Sequence, residues 1–526
     1  MSIHKLSSTT LLISAMLAGC AAGPDFKRPA APSTNSYMPA GNIPEATASA
    51  PVLAGESQRF NPAADIPFDW WTLFQSPQIN SLVVRAFKAN PTIESAQAAL
   101  RQAQEYAVAQ QGFFYPTVGA SYAPSRNKVA GNMSSSAPGI QGNGELIQAP
   151  PGQASPVYYN FHVAQLTVGY VPDVFGLNRR QVESAEAQVA AQKLQLEATY
   201  ITLASNVVAA ALQEASIRSQ LAAMERIVDI NKETLAILQN QLRLGYVSGM
   251  DVFAQEASLA SAEQSLAPLQ KQLEQTRDLI RVLAGNLPND DVEEKFELAA
   301  FHMPQELPIS LPSKIVEQRP DVRAAEEQLH FASAQAGVAI ANTLPQFAIT
   351  GAIGGMASTP GWMFRSGGGF FDITANVAYT IFDGGSLRAK SRAEQQALIQ
   401  AGAQYRSTVM TAMQNIADTL YTIQSDANAL KAAADFSQAA QTSLDLTRKQ
   451  YQLGYVNYQA QLAAEQNFQQ SVINLTQAQT NRLGDTAALY QALGGGWWNR
   501  PDAPEKSKTD PSDTPPHPLA SGESAQ

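Results

Sequence analysis

Few side chains in this chain have the types and spacing that catalysis or metal binding requires. The five histidines among its 526 residues are scattered, at positions 4, 162, 302, 330 and 517. Glu326, Glu327 and His330 share one helical face without the order of a zinc-protease motif, so a surface pair is expected. Met410 and Met413 could offer thioethers to a soft ion such as Cu(I), but flexible core packing suits two lone methionines better. We therefore expect no enzyme activity, no cofactor and no bound metal.

One residue does predict a covalent modification. Cys20 is the only cysteine, and the small residues Ala18 and Gly19 precede it, after a short apolar run that ends at Leu17. A run this short is typical of a secretory signal, here residues 1–19, and not of a spanning helix. The segment resembles a bacterial lipobox, which implies an N-palmitoyl and S-diacylglycerol modification of Cys20. An incidental cysteine in a discarded signal is the alternative.

Composition excludes several classes of protein. Lys and Arg number 35 against 45 Asp and Glu, a net charge of −10, and no basic patch indicates nucleic-acid binding. Mean hydropathy is −0.17, too polar for a helical membrane protein. Residues 20–63 are rich in Pro, Ala and Ser and are expected to form an extended tether, and residues 500–526 a disordered tail.

The second half of the chain repeats the first. Leu244-Gly245-Tyr246-Val247 recurs 209 positions later as Leu453-Gly454-Tyr455-Val456, whereas Tyr115-Pro116 recurs after 229 positions as Leu344-Pro345. A unit of about two hundred residues is longer than a solenoid repeat. We expect a first repeat over 64–300 and a second over 301–499, each with a helix, two strands, a long helix and another helix.

The long helices follow from two stretches without proline. Residues 177–244 and 386–453 each span 68 residues rich in Ala, Gln, Leu and Glu, with Gly402 the only glycine before the final turns. At 1.5 Å per residue each helix would reach about 100 Å. Residues at alternating steps of three and four predict coiled-coil seams. They are Leu221, Met224, Val228, Asn231, Leu235, Leu238 and Leu242 in the first helix, and Leu430, Ala433, Ser437, Ala440 and Leu444 in the second. A filament-like rod remains an alternative at this point.

Extended segments before each long helix argue against a rod. Residues 371–381 alternate, with apolar Phe371, Ile373, Val377, Tyr379 and Ile381 on one face and polar Asp372, Thr374, Asn376 and Thr380 on the other. The other predicted strands are 345–353, 117–123 and 158–171, with a loop from about 124 to 156. Alternation over about ten residues is typical of a membrane β-barrel, although a soluble sandwich edge looks similar. Four strands cannot close a barrel in lipid, so two or three copies must share one.

At this point the chain resembles a known family. Cys20, Gly23-Pro24-Asp25-Phe26, Trp70-Trp71, Arg319-Pro320-Asp321-Val322 and the duplicated turns occur in the order typical of TolC-like outer-membrane factors, in the lipoprotein branch of OprM and NodT type. The resemblance covers residues 20 to 498. It implies an α+β membrane protein: a homotrimer with a twelve-stranded outer-membrane barrel, four strands per protomer, continued by a coiled-coil periplasmic tunnel. The implied partners are outer-membrane lipid, a periplasmic adaptor and an inner-membrane pump of the resistance-nodulation-division class.

The resemblance also implies roles for single residues. Gly245, Tyr246, Gly454 and Tyr455 are expected at the periplasmic tips of the tunnel, and Asp372, Thr374 and Asn376 are expected to face the lumen. Asp251 and Tyr451 match positions that hold neighbouring helices together at a gate, with Gln459, Gln461 and Glu465 nearby. The acidic ring of some relatives is not carried over, because Ala460 and Ala463 stand in its place.

Three functions remain open from the sequence. The chain is expected to be a passive duct that exports drugs or other small toxic compounds from a Gram-negative cell. A duct for type I protein secretion and a structural coiled-coil lipoprotein without a pore are the alternatives. Selectivity in such a duct belongs mainly to the pump, so the sequence does not name the exported compounds.

Overall fold

A computed structural model describes residues 21–34, 36–38, 45–129 and 157–501 of the chain. The predicted signal, Cys20, most of the predicted loop before residue 157 and the tail beyond residue 501 lie outside the described residues. Within the described part, long helices dominate and one four-stranded sheet lies at their end.

The helices occur twice at matching lengths. The first repeat contains α1 (Pro77–Ala89), α2 (Pro91–Gln111), α3 (Leu177–Arg243) and α4 (Gly249–Leu283). The second contains α5 (Pro312–Gln318), α6 (Pro320–Ala341), α7 (Ser386–Gln452) and α8 (Tyr458–Ala492). The long helices α3 and α7 have 67 residues each, and α4 and α8 have 35 each. The predicted long helices are therefore confirmed to within about two residues at each end.

The sheet joins the strands of both repeats. Its strands are β2 (Thr117–Val129), β3 (Val157–Tyr170), β5 (Gln346–Ala357) and β6 (Gly369–Ala378), all antiparallel in the order β2-β3-β5-β6. A second, two-stranded sheet pairs β1 (Arg59–Asn61) with β4 (Glu306–Pro308) in parallel.

Three predicted strand ends were wrong. Strand β5 continues four residues past Ile353, to Ala357. Strand β2 continues six residues past Ala123, because an edge strand tolerates Pro124 where no ladder hydrogen bond is needed from it. Strand β6 stops at Ala378, opposite Gln346, and not at Ile381. The next position on β5 is Pro345, which has no N–H to pair, so Tyr379 and Ile381 lie beyond the ladder.

The main core lies where the two repeats meet below the sheet. Trp70 is fully buried and stacks on Tyr490 of α8, with ring centroids 5.5 Å apart. Trp497 and Trp498 donate hydrogen bonds to Gln318 and Asp65 respectively. Trp70 and Trp498 thus each contact the other repeat.

The N-terminal segment packs along the helices over much of its described length. Arg180 of α3 donates to Asp25 at 2.7 Å, and Arg28 pairs with Glu326 of α6 at 2.8 Å. The expected tether is extended here, but these contacts fix it in the groove between α3 and α6. A composition rich in Pro, Ala and Ser could not show them, because they join residues more than a hundred positions apart.

Among the described residues, no helix is both long enough and apolar enough to cross a membrane.

Candidate channel: a two-faced sheet and paired helical tips

The strand register sorts the side chains of the sheet onto two faces. Asp372 pairs with Ala352, and Thr374 pairs with Thr350, which itself pairs with Gly169 of β3. Directly opposite residues of antiparallel strands share a face. Over the half of the sheet next to the helices, one face is therefore small and polar across all four strands: Thr117, Gly119, Ser121, Gln165, Thr167, Thr350, Ala352, Asp372, Thr374 and Asn376. Towards the other end of the sheet the same face carries Phe161, Val163, Met356 and Phe370.

The other face is apolar on all four strands over the half next to the helices, and beyond that half it carries Arg126, Lys128, Asn160 and His162. The apolar half carries Val118, Tyr122, Leu166, Val168, Tyr170, Ile349, Ile353, Phe371, Ile373 and Val377. Phe371 and Ile373 are each 78% exposed in the protomer. A monomeric protein rarely exposes a continuous apolar surface of this kind to water. This face therefore needs lipid or another apolar partner.

The duplicated turns end both long helices in the same way. Gly245 has φ of 80° and Gly454 has φ of 76°, a conformation that glycine adopts without strain. The N–H of Tyr246 donates to the carbonyl of Gln241, and the N–H of Tyr455 donates to that of Gln450, both at 2.9 Å. These bonds form Schellman caps, which satisfy the last helical carbonyls. The structure therefore places the four predicted tip residues at the free ends of two helical hairpins.

A small core joins the two hairpins near their tips. Leu238 and Val252 of the first hairpin pack with Tyr458 of the second, and Tyr451 lies against them. The rings of Tyr451 and Tyr458 meet edge to face, with centroids 5.7 Å apart. Burial, and next the charge of Asp251, raise the pKa of Tyr451.

A buried polar network crosses the same joint. Tyr458 donates from its hydroxyl to Oε1 of Gln255. The Gln255 amide in turn donates to the carbonyl of Asn231 at 2.9 Å and to its Oδ1 at 2.8 Å. Gln255 is fully buried, so the loss of any member would leave an unpaired polar group in the core. Sequence reasoning missed Gln255 and Tyr458, and the polar Asn231 within an otherwise apolar seam was the available signal.

The residues predicted for the gate have different surroundings. Asp251 caps α4, where its Oδ2 accepts from the N–H and hydroxyl of Ser248. Glu465 is buried and pairs with Arg448 at 3.2 Å inside the second hairpin. Gln461 donates to Glu465 as well, whereas Gln459 is exposed. Of the predicted set, the structure thus brings Asp251 and Tyr451 to the joint between the hairpins.

The predicted seams of the long helices are largely buried. Met224, Val228, Asn231 and Leu238 are buried in α3, but Leu242 is 40% exposed near the tip. In α7 the buried positions are Leu430, Ala440 and Leu444, with Ala433 and Ser437 half-buried.

The residues first considered for chemistry serve packing and pairing. His330 lies 3.0 Å from Glu183 and 3.5 Å from Glu327, and it stacks on Phe26. The expectation of core packing was wrong for Met410, which is 65% exposed on a face of α7 against which no other described segment packs. In the described part of the chain, no three His, Cys, Asp or Glu side chains are grouped to hold a metal ion.

An elongated helical hairpin pair below a two-faced sheet defines a class of outer-membrane channel. The family model of outer membrane efflux proteins matches residues 82–286 and 311–495. The chain belongs to that family, whose members are channels and not enzymes, and it is an outer-membrane component of an efflux pump.

Curated relatives match over nearly the whole chain. The toluene efflux pump outer membrane protein TtgC of Pseudomonas putida is 26% identical over 488 residues, which cover 92% of this chain and 94% of the relative. The outer membrane protein OprJ of Pseudomonas aeruginosa is 26% identical over 495 residues, or 93% of this chain and 95% of the relative.

Solved structures show the same fold. The outer-membrane channel OprN matches with a TM-score of 0.77 and 24% identity, covering 91% of this chain and all of that chain. The CmeC outer membrane channel of Campylobacter jejuni matches with a TM-score of 0.78 and 21% identity, over 91% of this chain and 95% of that one.

Proposed function

We propose that three copies of the chain form one duct, with twelve strands in an outer-membrane barrel and twelve helices in a periplasmic tunnel. The two-faced sheet carries this proposal, since among the described residues its outer strands β2 and β6 each have a partner on one side only. Unpaired backbone groups cost several kcal/mol each in lipid, so both edges need strands of other copies. The polar face with Asp372, Thr374 and Asn376 then lines the lumen, and the apolar face meets lipid.

The duct passes small toxic organic compounds from an inner-membrane pump of the resistance-nodulation-division class, through a periplasmic adaptor. The name of the toluene efflux relative supports this substrate class, and the absence of grouped metal ligands among the described residues offers no support for metal export.

One experiment tests both the barrel and the export function. A strain that lacks the gene should become sensitive to toluene and to antibiotics, and the parent gene should restore resistance. Ile373→Arg should fail to restore it, because a charge on the lipid face near the bilayer centre costs about 2 to 4 kcal/mol. Thr374→Arg, one residue away on the polar face, should assemble and reach the membrane. Equal assembly of the two variants would contradict the assignment of faces.

The tips close the duct at rest. Tyr451, Tyr458 and Gln255 tie the second hairpin to the first, and the charge of Asp251 acts on the Tyr451 hydroxyl. Opening needs only these contacts to break, because separate seams hold the helices above them. Tyr451→Ala combined with Asp251→Ala should raise single-channel conductance in planar bilayers while the trimer content stays constant. If the double variant conducted like the parent, the gate would lie elsewhere, with Gln459, Gln461 and Glu465 as the next candidates.

Lipid on Cys20 adds a second attachment to the membrane. Ala22 donates from its N–H to the carbonyl of Phe175, so the chain two residues after Cys20 lies beside the junction between sheet and long helix. That position suits an acyl chain inserted in the inner leaflet. Cys20→Ser should abolish labelling with a fatty-acid precursor, and persistent label would refute lipidation at this residue.

A further inference from the structure

Two helix faces of the protomer are exposed, with no other described segment packed on them. On α7, residues at steps of four and seven form an exposed stripe with Arg388, Arg392, Ile399, Arg406 and Met410. Ile399 is 62% exposed. Arg388, Lys390 and Arg392 form no ion pair with any carboxylate of the described residues, although cations in the first turns of a helix oppose its dipole.

The complementary face lies on α2. Glu94, Arg101, Glu105 and Val108 follow one another at steps of seven, four and three, and all are exposed. The apolar side chain of Val108 is 60% exposed. Each face has an exposed apolar residue, Ile399 or Val108. The end of each helix nearer the sheet carries a charge, positive at Arg392 and negative at Glu105, so the two faces are suited to contact each other.

The protomer contains a template for that contact. Helix α3 packs against α6, with Glu183 paired to His330 at 3.0 Å and Ser184 accepting from Gln335 at 2.8 Å. Gly337 of α6 lies so close to Arg180 that an added Cβ would be 3.0 Å from its side chain. By the internal repeat, α3 corresponds to α7 and α6 corresponds to α2.

The two repeat offsets transfer this register to the free faces. Helix α7 begins 209 positions after α3, and α6 begins 229 positions after α2. Arg180 therefore corresponds to Ala389, and Gly337 corresponds to Val108. Three residues along each helix from this pair, Arg392 and Glu105 come opposite each other. The Glu183–His330 pair of the template becomes Arg392 and Arg101, two like charges, and Glu105 lies one helical turn from Arg101.

The groove between α3 and α6 and the groove expected between α7 and α2 differ in sequence, and the differences match what occupies each groove. In the α3–α6 groove the N-terminal segment enters, and the carbonyl of Ala22 would be 2.9 Å from a Cβ added at Gly337. Among the described residues of a copy, no second segment of this kind is present to fill the groove that α7 and α2 would form. There Val108 replaces the glycine, and Glu105 replaces Ala334, which is fully buried. A carboxylate buried at that position needs a cation beside it.

We propose that the seam between neighbouring copies repeats the α3–α6 contact in the same register, with α7 of one copy against α2 of the next. Arg392 forms an ion pair with Glu105 of the neighbouring copy at the centre of this seam. The inference rests on the proposed trimer and deepens it, because it names the residues that join the copies.

Disulfide crosslinking tests the register. In Ala389→Cys combined with Val108→Cys, the new thiols should lie within disulfide distance across each seam, and oxidation should convert the protein to covalent trimers on denaturing gels. The matched control joins Val108→Cys with Gln396→Cys, on the same face of α7 but about 10 Å further along. The control should remain monomeric on the gel. Crosslinking of the control, or of neither pair, would overturn the register.

Charge reversal tests the ion pair. Arg392→Glu and Glu105→Arg should each lower the temperature at which the trimer dissociates in detergent, and the double variant should recover most of the loss. A double variant no better than the single ones would refute the pair. A parent protein whose native mass is not that of three chains would instead refute the proposed trimer, so the two failures are distinguishable.

Discussion

The first hairpin, α3 and α4, and the second, α7 and α8, have the same lengths but different polar interiors. In the first, Glu214 is fully buried and lies 3.0 Å from Arg277 and 2.6 Å from Arg218. The second repeat has Ile423 and Thr486 at the positions of Glu214 and Arg277. The repeat thus preserved the backbone while the buried charges diverged.

The second hairpin carries its own buried charge one turn away. Arg482 donates to Thr47 at 2.7 Å and to the carbonyl of Ile423 at 3.2 Å, and its counterpart in the first repeat is the apolar Leu273. Arg277 similarly reaches Asp291 in the linker that follows α4. Each arginine therefore binds a segment that is not repeated. The two repeats therefore diverged where they contact parts of the chain that occur only once.

The largest expected effect comes from replacing one residue of the buried ion pair in the first hairpin by the residue found at the matching position of the second. Arg277→Thr leaves the buried Glu214 with Arg218 as its remaining partner, and breaking a buried pair costs at most about 3 to 5 kcal/mol. Adding Glu214→Ile should recover most of the loss, because an apolar pair often replaces a buried ion pair at little cost. The measurement is the midpoint of urea unfolding in detergent, monitored by circular dichroism.

A matched change in the second hairpin provides the control. Ile423→Val should cost only about 0.5 to 1.5 kcal/mol. If the double variant were no more stable than Arg277→Thr alone, the two interiors would not be interchangeable, and the comparison would fail.

A smaller effect is expected at the joint between the hairpins. Tyr458 corresponds to Gly249 in the first repeat, so only the second hairpin supplies a hydroxyl to Gln255. Tyr458→Phe should leave that buried amide oxygen unpaired at a cost of about 1 to 3 kcal/mol. We expect longer openings of single channels in planar bilayers. Tyr455→Phe, on the exposed tip turn, should leave the openings unchanged. If the openings of the two variants lasted equally long, the joint between the hairpins would not control gating.

The smallest effect concerns pH. Burial, and next the charge of Asp426, raise the pKa of Asp485 from 3.8 to about 7, whereas the first repeat has Thr276 and Ile217 at these positions. A pKa raised by folding means that the folded state binds the proton more tightly. Stability should therefore fall as pH rises from about 4 to about 7.

Urea midpoints on both sides of this range measure the effect. Asp485→Asn should flatten the dependence, while Asp435→Asn at an exposed site of α7 should not. A slope unchanged by Asp485→Asn would place the responsible group elsewhere.

Most of the fold followed from local patterns in the sequence. The runs without proline predicted α3 and α7 almost to the residue, and alternation predicted the faces of β6, although Pro124 and Pro345 hid two strand ends. For the candidate site, the glycine turns and Tyr451 were identifiable because they are repeated or match a known family. Tyr458 and Gln255 were not, since a buried tyrosine and a buried glutamine have no signature of their own.

The sequence by itself determined the duplication, the helix lengths, the turns and the two-faced strands, because each depends on residues a few positions apart. Only the tertiary structure decided which polar side chains are buried together. Gln255 and Tyr458 are 203 positions apart, and Thr47 and Arg482 are 435 apart. Whether such residues meet depends on how the two hairpins and the N-terminal segment pack, and local periodicity carries no information on that packing.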